Sequence, residues 1–306
     1  MTRIHSQDFR SGFVSIIGRP NVGKSTLLNA IVGQKIAIVS KIPQTTRSQI
    51  RGIYNSSQGQ VVFIDTPGLV RGKDKLDELM KQSSFGTIED VDCVIHLVDA
   101  NKTLGEEEQM IIDKIKNSKK PLILGLNKID LKGTCVPEYI EYYKEQLENK
   151  FNDPKRFVLL PLSGARSTNI EKLIELIFER LPTGPALYPQ DAVSDVPEKN
   201  MIADIVREKF LQLMRDEIPY ALAVQVDQIQ RRRNKLTYVA IEVFVEHSSQ
   251  KEIVIGKKGH ILKDVGVAAR QEIESLLDRR IFLEIHVKVK EKWRDNISIL
   301  KDLGYV

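Results

Sequence analysis

Cysteine is scarce in this sequence, and long apolar runs are absent. Its 306 residues include two cysteines, Cys93 and Cys135, and five histidines without metal-ligand spacing, which argues against a disulfide framework or a zinc site. No window approaches the ~18 uninterrupted apolar residues of a membrane-spanning helix. Residues 1–10 (MTRIHSQDFR) lack the apolar core of a secretion signal. These absences predict a chain that works in the cytoplasm rather than outside the cell or within a membrane.

Positive charge is in modest excess and is concentrated toward the carboxy-terminal end. The formal net charge is +5, and residues 199–306 carry 20 Lys and Arg against 16 Asp and Glu. This excess favours a polyanionic partner for the last third of the chain. A length of 306 residues predicts about two domains rather than one hydrophobic core.

The motif that organises the chain is a glycine-rich loop between a strand and a helix. Residues 18–25 (GRPNVGKS) match the pattern G-x-x-x-x-G-K-[ST] at every position. Residues 13–17 are apolar and β-branched, as in a buried strand, and residues 26–32 have the apolar spacing of a helix that ends near Gly33. Strand, loop and helix in this order predict a phosphate-binding loop rather than a chance glycine-rich turn.

The residue types of this loop suit a nucleoside triphosphate bound with Mg²⁺. Gly18 and Gly23 allow backbone angles and a close approach that a Cβ would block, so the loop amides can point at phosphate oxygens. Lys24 would reach the β and γ phosphates, and the Ser25 hydroxyl would lie on Mg²⁺. The predicted nucleotide contacts from this region are Gly18, Arg19, Pro20, Asn21, Val22, Gly23, Lys24, Ser25 and Thr26.

Beyond the loop, short apolar strands alternate with amphipathic helices. A hairpin pattern covers residues 50–64, and strands at residues 91–98, 122–126 and 157–160 are each followed by a helix. This alternation predicts an α/β domain with a mostly parallel, doubly wound sheet and one antiparallel edge strand. In such sheets ligands bind beyond the carboxyl ends of the strands, where the remaining motifs of this domain fall.

A D-x-x-G motif ends the second strand of the hairpin. A carboxylate there can hold Mg²⁺ through water, and the glycine amide can bond the γ-phosphate, so that loss of this phosphate frees the loop. An isolated D-x-x-G is often an ordinary turn, but its place at a strand end downstream of the phosphate loop favours the nucleotide interpretation. The motif consists of Asp65, Thr66, Pro67 and Gly68.

An N-K-x-D motif, Asn127, Lys128 and Asp130, follows another predicted strand. The Asp130 carboxylate can accept hydrogen bonds from the N1–H and the amino group of guanine, which adenine lacks there. Asn127 and the Lys128 stem would brace the base. The alternative is a strand-end Asn with a helix-capping Asp. A weaker signal, whose central amide would meet guanine O6, follows the last strand of the domain: Ser163, Gly164 and Ala165.

Together these motifs resemble those of the translation-factor-like GTPases. Residues 18–25 with Thr45, Thr46 and Arg47 are similar to the bacterial Era and TrmE branch. The resemblance implies GTP hydrolysis, with Thr46 as the switch threonine on Mg²⁺ and the γ-phosphate and Thr45 as the alternative. The implied catalytic residues are Lys24, Thr46, Asp65 and Gly68, and the implied Mg²⁺ ligands are Ser25, Thr46 and Asp65.

The sequence departs from the wider GTPase pattern in two places. Leu69 stands directly after D-x-x-G, where many GTPases have a water-orienting Gln, and this branch shares the departure. It implies slow intrinsic hydrolysis with the water positioned by other groups. Gly164 stands where the family usually has Ala, and because the contact uses a backbone N–H we expect little loss of function. By similarity, Asn21 would help to bind K⁺ where other GTPases use an arginine finger.

The carboxy-terminal part contains a second loop suited to binding. Residues 182–198 are rich in Pro, Gly and Asp, which predicts a linker between domains at residues 1–181 and 199–306. The order helix, strand, strand, helix, G-x-x-G, helix, strand matches the α+β KH fold of the second type, whose loop clamps about four single-stranded nucleotides. For Arg231, Arg232 and Arg233, an RNA contact and a solvated turn are equally open. The predicted RNA contacts are Ile255, Gly256, Lys257, Lys258, Gly259, Lys263 and Arg270.

With this loop included, the resemblance to the Era-type GTPases runs from about residue 13 to residue 289. It implies GTP, GDP and Mg²⁺ as cofactors, K⁺ as an activating ion, and a monomer that binds the 3′ end of 16S ribosomal RNA and assists 30S subunit assembly. Peripheral association with the inner face of the cell membrane is left open.

Two other classes of function are compatible with parts of the sequence. A metabolic P-loop enzyme, such as a nucleoside kinase, would explain the phosphate loop but has no need of the guanine reader at Asn127 and Asp130. An RNA-binding scaffold with a degenerate GTPase domain would explain the carboxy-terminal loop, but the intact Lys24, Ser25 and Asp65 argue against it.

Overall fold

The structure is a computed structural model that describes residues 9–69, 74–132, 135–147, 153–232 and 236–305. It divides into two compact units, each with its own hydrophobic core. None of the described helices has the length and hydropathy that crossing a membrane requires. The first unit comprises Met1–Ala37, Thr46–Gly72 and Asp77–Asp195, and the second comprises Ile38–Thr45, Lys73–Leu76 and Val196–Val306.

The first unit is built on six strands: β1 (Arg10–Ile17), β2 (Ile50–Asn55), β3 (Gly59–Asp65), β4 (Cys93–Asp99), β5 (Leu122–Asn127) and β6 (Phe157–Pro161). Their order in the sheet is β2-β3-β1-β4-β5-β6. Among the described strand pairs of this sheet, only β2–β3 is antiparallel, which confirms the predicted sheet. Strands β3, β4 and β5 are buried along their whole length, as expected for inner strands of a parallel sheet.

The helices between these strands follow the predicted alternation. Helix α1 (Lys24–Val32) ends at Gly33, whose φ of 74° is in the left-handed region, so the predicted end of this helix is confirmed. The end of the helix predicted at residues 137–150 lies outside the described residues. The other helices are α2 (Lys75–Asp90), α3 (Glu106–Ile115), α4 (Val136–Gln146) and α5 (Ile170–Phe178).

The parallel strands end at one edge of the sheet, and the predicted motifs follow them there. The phosphate loop begins after β1, residues 65–68 continue from β3, Asn127 ends β5, and residues 163–165 follow β6. The parallel register places Asp99, the last residue of β4, beside Asn127. The topology therefore gathers these motifs at one site.

Most of the predicted linker, residues 182–195, is bonded to the sheet of the first unit. Gln60 on β3 accepts hydrogen bonds from the amides of residues 187–188 at 2.7 and 2.8 Å. The Ile53 amide on β2 donates to the Val193 carbonyl at 2.9 Å. This segment is therefore fixed to the sheet by hydrogen bonds. Buried polar groups of the sheet need partners, and the irregular backbone of residues 182–195 supplies them.

The second unit packs helices against one face of a three-stranded sheet. Its elements are α6 (Glu198–Leu213), α7 (Ile218–Ala221), β7 (Ala223–Arg231), β8 (Thr237–Val245), α8 (Ser248–Ile255), α9 (His260–Leu277), β9 (Ile281–Val289) and α10 (Ile297–Asp302). The sheet order is β7-β8-β9, with β7–β8 antiparallel and β8–β9 parallel. Alternate residues of β8, Val239, Ile241 and Val243, are fully buried in the core. This arrangement confirms the predicted α+β KH fold.

After β9 the carboxy-terminal tail is anchored to the second unit by the one tryptophan of the sequence, Trp293. This side chain is fully buried, and its indole N–H donates to the Ala221 carbonyl at 2.8 Å. Its ring lies 6.4 Å from the ring of Tyr305, centroid to centroid. The tail is therefore packed against the second unit.

One histidine of the first unit is buried in neutral form. His96 on β4 is fully buried, its Nδ1 shares a hydrogen bond with the Tyr143 hydroxyl, and its Nε2 has no hydrogen-bond partner among the described residues. Burial, with the positive charges of Lys24 and Arg19 as smaller causes, lowers the pKa of His96 to about 3.

This histidine predicts an acid-sensitive first unit. Because the pKa of His96 is lower in the folded chain than the ordinary value of ~6.5, the unfolded state binds more protons below pH 6.5. The free energy of unfolding should therefore fall by about 2 kcal/mol between pH 6.5 and pH 5. Urea unfolding followed by circular dichroism at several pH values measures this loss.

The His96→Asn variant should lose that part of the pH dependence. Trp293 fluorescence, which reports on the second unit, serves as the control and should show the same pH dependence in both proteins. Identical pH profiles of first-unit unfolding in the wild type and the variant would contradict the prediction.

Candidate nucleotide site and candidate RNA interface

The phosphate loop has glycine where the packing leaves no room for a side chain. A Cβ at Gly18 would lie 2.3 Å from the Leu97 carbonyl oxygen. At Gly23 a Cβ would lie 2.4 Å from Asn127 Nδ2, and φ is +102°. Both positions therefore require glycine, and the second brings the phosphate loop against the predicted base-binding motif.

Lys24 is buried at the centre of this loop. Its ammonium donates to the carbonyls of Gly18 and Arg19, each at 3.0 Å. Burial lowers the pKa of Lys24 to about 8, and the charge of Asp65 acts in the opposite direction. A buried ammonium is costly unless anionic groups or hydrogen-bond acceptors surround it, so this position suits phosphate oxygens.

Three side-chain oxygens converge beside Lys24. The Ser25 hydroxyl donates to Asp65 Oδ2 at 2.6 Å and lies 2.9 Å from Thr46 Oγ1. Asp65 is fully buried, its Oδ1 has no hydrogen-bond partner among the described residues, and burial raises its pKa to about 6. One carboxylate and two hydroxyls form a donor set that fits Mg²⁺.

The structure separates the two candidate switch threonines. Thr46 lies within hydrogen-bond distance of Ser25. The neighbouring Thr45 turns its hydroxyl to the Ile42 carbonyl at 2.7 Å. The geometry therefore favours Thr46 for the metal.

The D-x-x-G loop touches the phosphate loop through its glycine. A Cβ at Gly68 would lie 2.8 Å from the backbone of Pro20. Thr66 and Pro67 have structural contacts: the Thr66 hydroxyl donates to the Ile16 carbonyl, and the Pro67 carbonyl accepts from Ser84, both at 2.9 Å. Of this motif, Asp65 and Gly68 are thus the residues best placed for a nucleotide.

The base-binding motif is braced by hydrogen bonds to neighbouring loops. Asn127 Nδ2 donates to the Val22 carbonyl at 2.7 Å, and Asn127 Oδ1 accepts from the Gly164 amide at 3.0 Å. Asp130 is exposed, and its Oδ1 accepts from the Ser163 hydroxyl at 2.5 Å. The Gly164 amide, predicted to meet guanine O6, thus also orients Asn127, and a base would share or replace that bond.

Asp99 is a site residue that sequence reasoning missed. Its Oδ2 lies 2.8 Å from Lys128 Nζ, which also donates to the Asn21 carbonyl at 2.6 Å. Burial opposes ionisation of Asp99, but hydrogen bonds from Lys128 and Asn101 outweigh it and lower its pKa. A carboxylate at the end of a parallel strand adjoining the Asn127 strand was the available signal.

A second missed residue is Glu108 in the first turn of α3. Its fully buried carboxylate forms an ion pair with Arg19 and caps the helix by accepting from the Gly105 amide at 3.0 Å. Burial is the main cause that raises the pKa of Glu108. The Arg19 side chain is therefore directed to α3, while its carbonyl holds Lys24.

In the second unit, the G-x-x-G loop presents two lysines to solvent. Gly256 and Gly259 both have φ of 73°, and Lys258 between them has φ of 55°. Lys257 and Lys258 are exposed. A Cβ at Gly256 would lie 2.7 Å from the Ile261 side chain, so glycine is needed to close this turn before α9 begins.

A groove between α9 and β9 brings together two predicted RNA contacts, Lys263 and Arg270. It has a volume of about 470 Å³, and both cationic side chains are exposed. Arg270 also lies 3.4 Å from Glu274. The remaining lining is largely apolar: Leu262, Gly266, Val267, Gln271, Phe282, Leu283 and Ile285.

Arg232, at the β7–β8 turn, is not among the residues that line this groove. The Arg232 guanidinium lies 4.8 Å from the centroid of the Tyr238 ring. Arg233 lies outside the described residues. Arg232 is therefore engaged with an aromatic ring rather than only solvated.

Parts of both units match known protein families. Residues 13–128 match the family model described as 50S ribosome-binding GTPase, and residues 217–294 match the KH domain. GTPase Era of Geobacter metallireducens is 47% identical over 300 residues, which cover 97% of this chain and 98% of the relative. GTPase Era of Halothermothrix orenii is 41% identical over 298 residues, covering 97% and 99%.

The chain belongs to the GTPase Era family. A solved structure of Aquifex aeolicus Era bound to GDP and aluminium fluoride is 34% identical, with a TM-score of 0.91, covering 97% of this chain and 100% of that one. A second solved Era structure, in complex with MgGDPNP and nucleotides 1506–1542 of 16S ribosomal RNA, has the same identity and TM-score and covers 97% and 99%.

Membership of the Era family confirms the predicted resemblance and fold. It also confirms that the enzyme is a GTPase that binds GTP and GDP. The roles of individual residues stay predictions.

We predict that Glu108 positions the phosphate loop. Glu108→Gln keeps an acceptor for the helix cap but removes the charge that holds Arg19, whose carbonyl bonds Lys24. GDP affinity should fall about tenfold, equivalent to ~1.4 kcal/mol, mainly through faster dissociation. Stopped-flow measurement with a fluorescent GDP analogue checks this.

The matched control is Glu106→Gln, which removes an exposed carboxylate from the same helix turn. It should leave GDP dissociation within twofold of the wild type. Equal dissociation rates for Glu108→Gln and the wild type would contradict the positioning role.

Proposed function

We propose that this Era-family GTPase uses Mg²⁺ in its first unit, binds the 3′ end of 16S ribosomal RNA through its second unit, and assists assembly of the 30S subunit. The main observation is that one chain contains both kinds of site. In the first unit the N-K-x-D motif is hydrogen-bonded to the phosphate loop. In the second unit a largely apolar groove that includes Lys263 and Arg270 lies along the helix that follows the G-x-x-G loop. The Era relative solved with MgGDPNP carries a 16S RNA segment, which supports the proposal.

For hydrolysis, the buried cation and the glycine loops have separate roles. Lys24 exchanges its bonds to the two loop carbonyls for β and γ phosphate oxygens. The Gly68 amide binds the γ-phosphate. Ser25, Thr46 and Asp65 would hold Mg²⁺, which when bound neutralises charge on the phosphates. Leu69 is buried and carries no group to orient water, so we expect slow intrinsic hydrolysis.

Guanine selection rests on Asp130. Its carboxylate is exposed at the strand edge and already oriented by the Ser163 hydroxyl, so it can accept from N1–H and the amino group of guanine. Asn127 and Lys128 are fixed by carbonyls of the phosphate loop. A kinase for a small substrate would not need this brace between base motif and phosphate loop.

Coupling of nucleotide state to RNA binding can pass through the segment before Thr46. Residues 38–45 belong to the second unit, where the Val39 amide donates to Glu208 Oε1 at 2.9 Å and the Thr45 carbonyl accepts from Arg207. Lys209 then pairs with Glu208 at 3.2 Å and with Glu272 on α9. Movement of Thr46 would thus act on a segment bonded to the helices of the KH fold.

RNA binding follows from the loop and the groove together. Lys257 and Lys258 lie on the exposed turn and would meet phosphates, while the apolar groove lining beyond them suits unpaired bases. Lys263 and Arg270 add positive charge along the groove. The proposed protein is a monomer with a GTPase domain at residues 1–181, a linker at residues 182–198 and an RNA-binding domain at residues 199–306.

Two variants should separate the two activities. Gly256→Asp adds bulk where φ is +73° and places a negative charge on the protein that repels the phosphates of RNA. Affinity for a 16S RNA of nucleotides 1506–1542 should therefore fall at least tenfold, while GTP hydrolysis is retained. Lys24→Ala should abolish tight GDP binding with RNA affinity of the second unit retained. Filter binding and phosphate release measure both.

The proposal fails if Gly256→Asp, shown to be folded by circular dichroism, binds the RNA as tightly as the wild type. It also fails if the wild type binds this RNA no better than an unrelated single strand of equal length.

Turnover should be stimulated by K⁺ through Asn21. This residue has a left-handed backbone, with φ of 63°, and its carbonyl accepts from Lys128, which fixes the loop next to the phosphates. We expect GTP hydrolysis to be several times faster in KCl than in NaCl at equal ionic strength, and Asn21→Ala to lose the difference. Equal rates of the wild type in the two salts would contradict the role of K⁺.

A further inference from the structure

Two aromatic rings lie side by side on the sheet face that points away from the helices of the second unit. Tyr238 on β8 pairs directly with Phe282 on β9 in the parallel register. Their ring centroids are 6.1 Å apart, and their planes differ by 15°. The neighbouring residues of the same strands, Val239 and Leu283, face the core instead.

This pair is held in place but remains open to solvent. The Tyr238 hydroxyl donates to Glu284, and the Arg232 guanidinium lies over the Tyr238 ring at 4.8 Å. Phe282 is nevertheless 51% exposed. We refer to Arg232, Tyr238 and Phe282 as the aromatic shelf.

The carboxy-terminal segment covers another part of the same face. Lys290 lies 3.8 Å from the centroid of the Phe244 ring, and Phe244 is fully buried. Gln225 on β7 reaches the Asp302 carbonyl at 3.5 Å. On this face, Phe244 is therefore covered by the described part of the chain, whereas half of the Phe282 side chain remains exposed.

The shelf is continuous with the proposed RNA groove. Phe282 lines that groove together with Lys263 and Arg270, and β9 is the edge strand of the sheet. A chain that lies in the groove and passes over the β9 edge reaches the exposed ring directly. Cationic groups for phosphates next to a free aromatic face form a typical platform for single-stranded nucleic acid.

We propose that the aromatic shelf binds one unpaired base of the RNA by stacking on Phe282. This inference rests on the proposed RNA binding by the groove and adds a base position at its β9 edge. Stacking needs only the π face of the base, so any base at this position should bind, whereas an abasic nucleotide should lower the affinity. A protein ligand on this face would not require a flat aromatic ring.

Substitutions of Phe282 in the full-length chain test the stacking contact. Phe282→Ala and Phe282→Leu should each weaken binding of 16S nucleotides 1506–1542 about tenfold, the loss expected for one base–aromatic stack. Phe282→Trp should retain binding because it keeps an aromatic face. The slope of affinity against salt concentration should not change, because no charge is removed.

The matched control is Val289→Ala, which truncates a partly exposed apolar side chain, 36% exposed, on the same strand. It should leave RNA affinity unchanged. Thermal unfolding followed by Trp293 fluorescence checks that each variant keeps the fold of the second unit.

RNAs with a single abasic site at successive positions locate the stacked base. At one position, removing the base should lower the affinity of the wild type for the RNA about tenfold. The same removal should cause no further loss of affinity in Phe282→Ala. Additive losses at every position would overturn the shelf. So would full affinity of Phe282→Ala and Phe282→Leu.

The outcomes also separate this inference from the proposed function. If Gly256→Asp loses RNA affinity while Phe282→Ala and Phe282→Leu keep it, the groove binds RNA and the shelf does not. If Gly256→Asp keeps it as well, RNA binding by the KH loop is itself wrong.

Discussion

The burial of two opposite charges at the carboxyl edge of one sheet is the constraint on which the first unit depends. Lys24 and Asp65 are both buried, and burial lowers the pKa of Lys24 and raises the pKa of Asp65, which favours the neutral form of each. Neither is tolerated in an apolar interior without polar partners. The loop carbonyls and the Ser25 hydroxyl supply them, and a nucleotide phosphate with a divalent cation would complete them. This charge pair is therefore poised for a ligand that carries both signs.

A second set of bonds fixes the phosphate loop to neighbouring parts of the first unit. The phosphate loop is bonded to the base motif through Asn127 and Lys128 and to α3 through the Arg19–Glu108 ion pair. Because these partners lie at the end of β5, directly after it, or in the first turn of α3, the geometry of the site depends on the packing of the whole unit.

For the second unit the proposed ligand is a flexible polyanion, single-stranded RNA. The cationic side chains proposed to contact it, on the G-x-x-G turn and along α9, are exposed. Its specificity would come from the apolar groove and the aromatic ring at the β9 edge, because an unpaired base has a flat apolar face that duplexes hide. Residues 38–45, which contact α6 in this unit, directly precede Thr46, the proposed switch residue.

The amino-acid sequence by itself determined the alternation of strands and helices, the phosphate loop, the base motif and the KH order, because these depend on local periodicity, glycine and short-range spacing. It did not reveal Asp99, Glu108 or the bonds of residues 182–195, and it left Thr45 and Thr46 as alternatives. Those features depend on contacts between residues far apart in the chain. Only the tertiary structure decides which polar group a buried charge or amide meets, since partner choice is set by packing and not by neighbours in sequence.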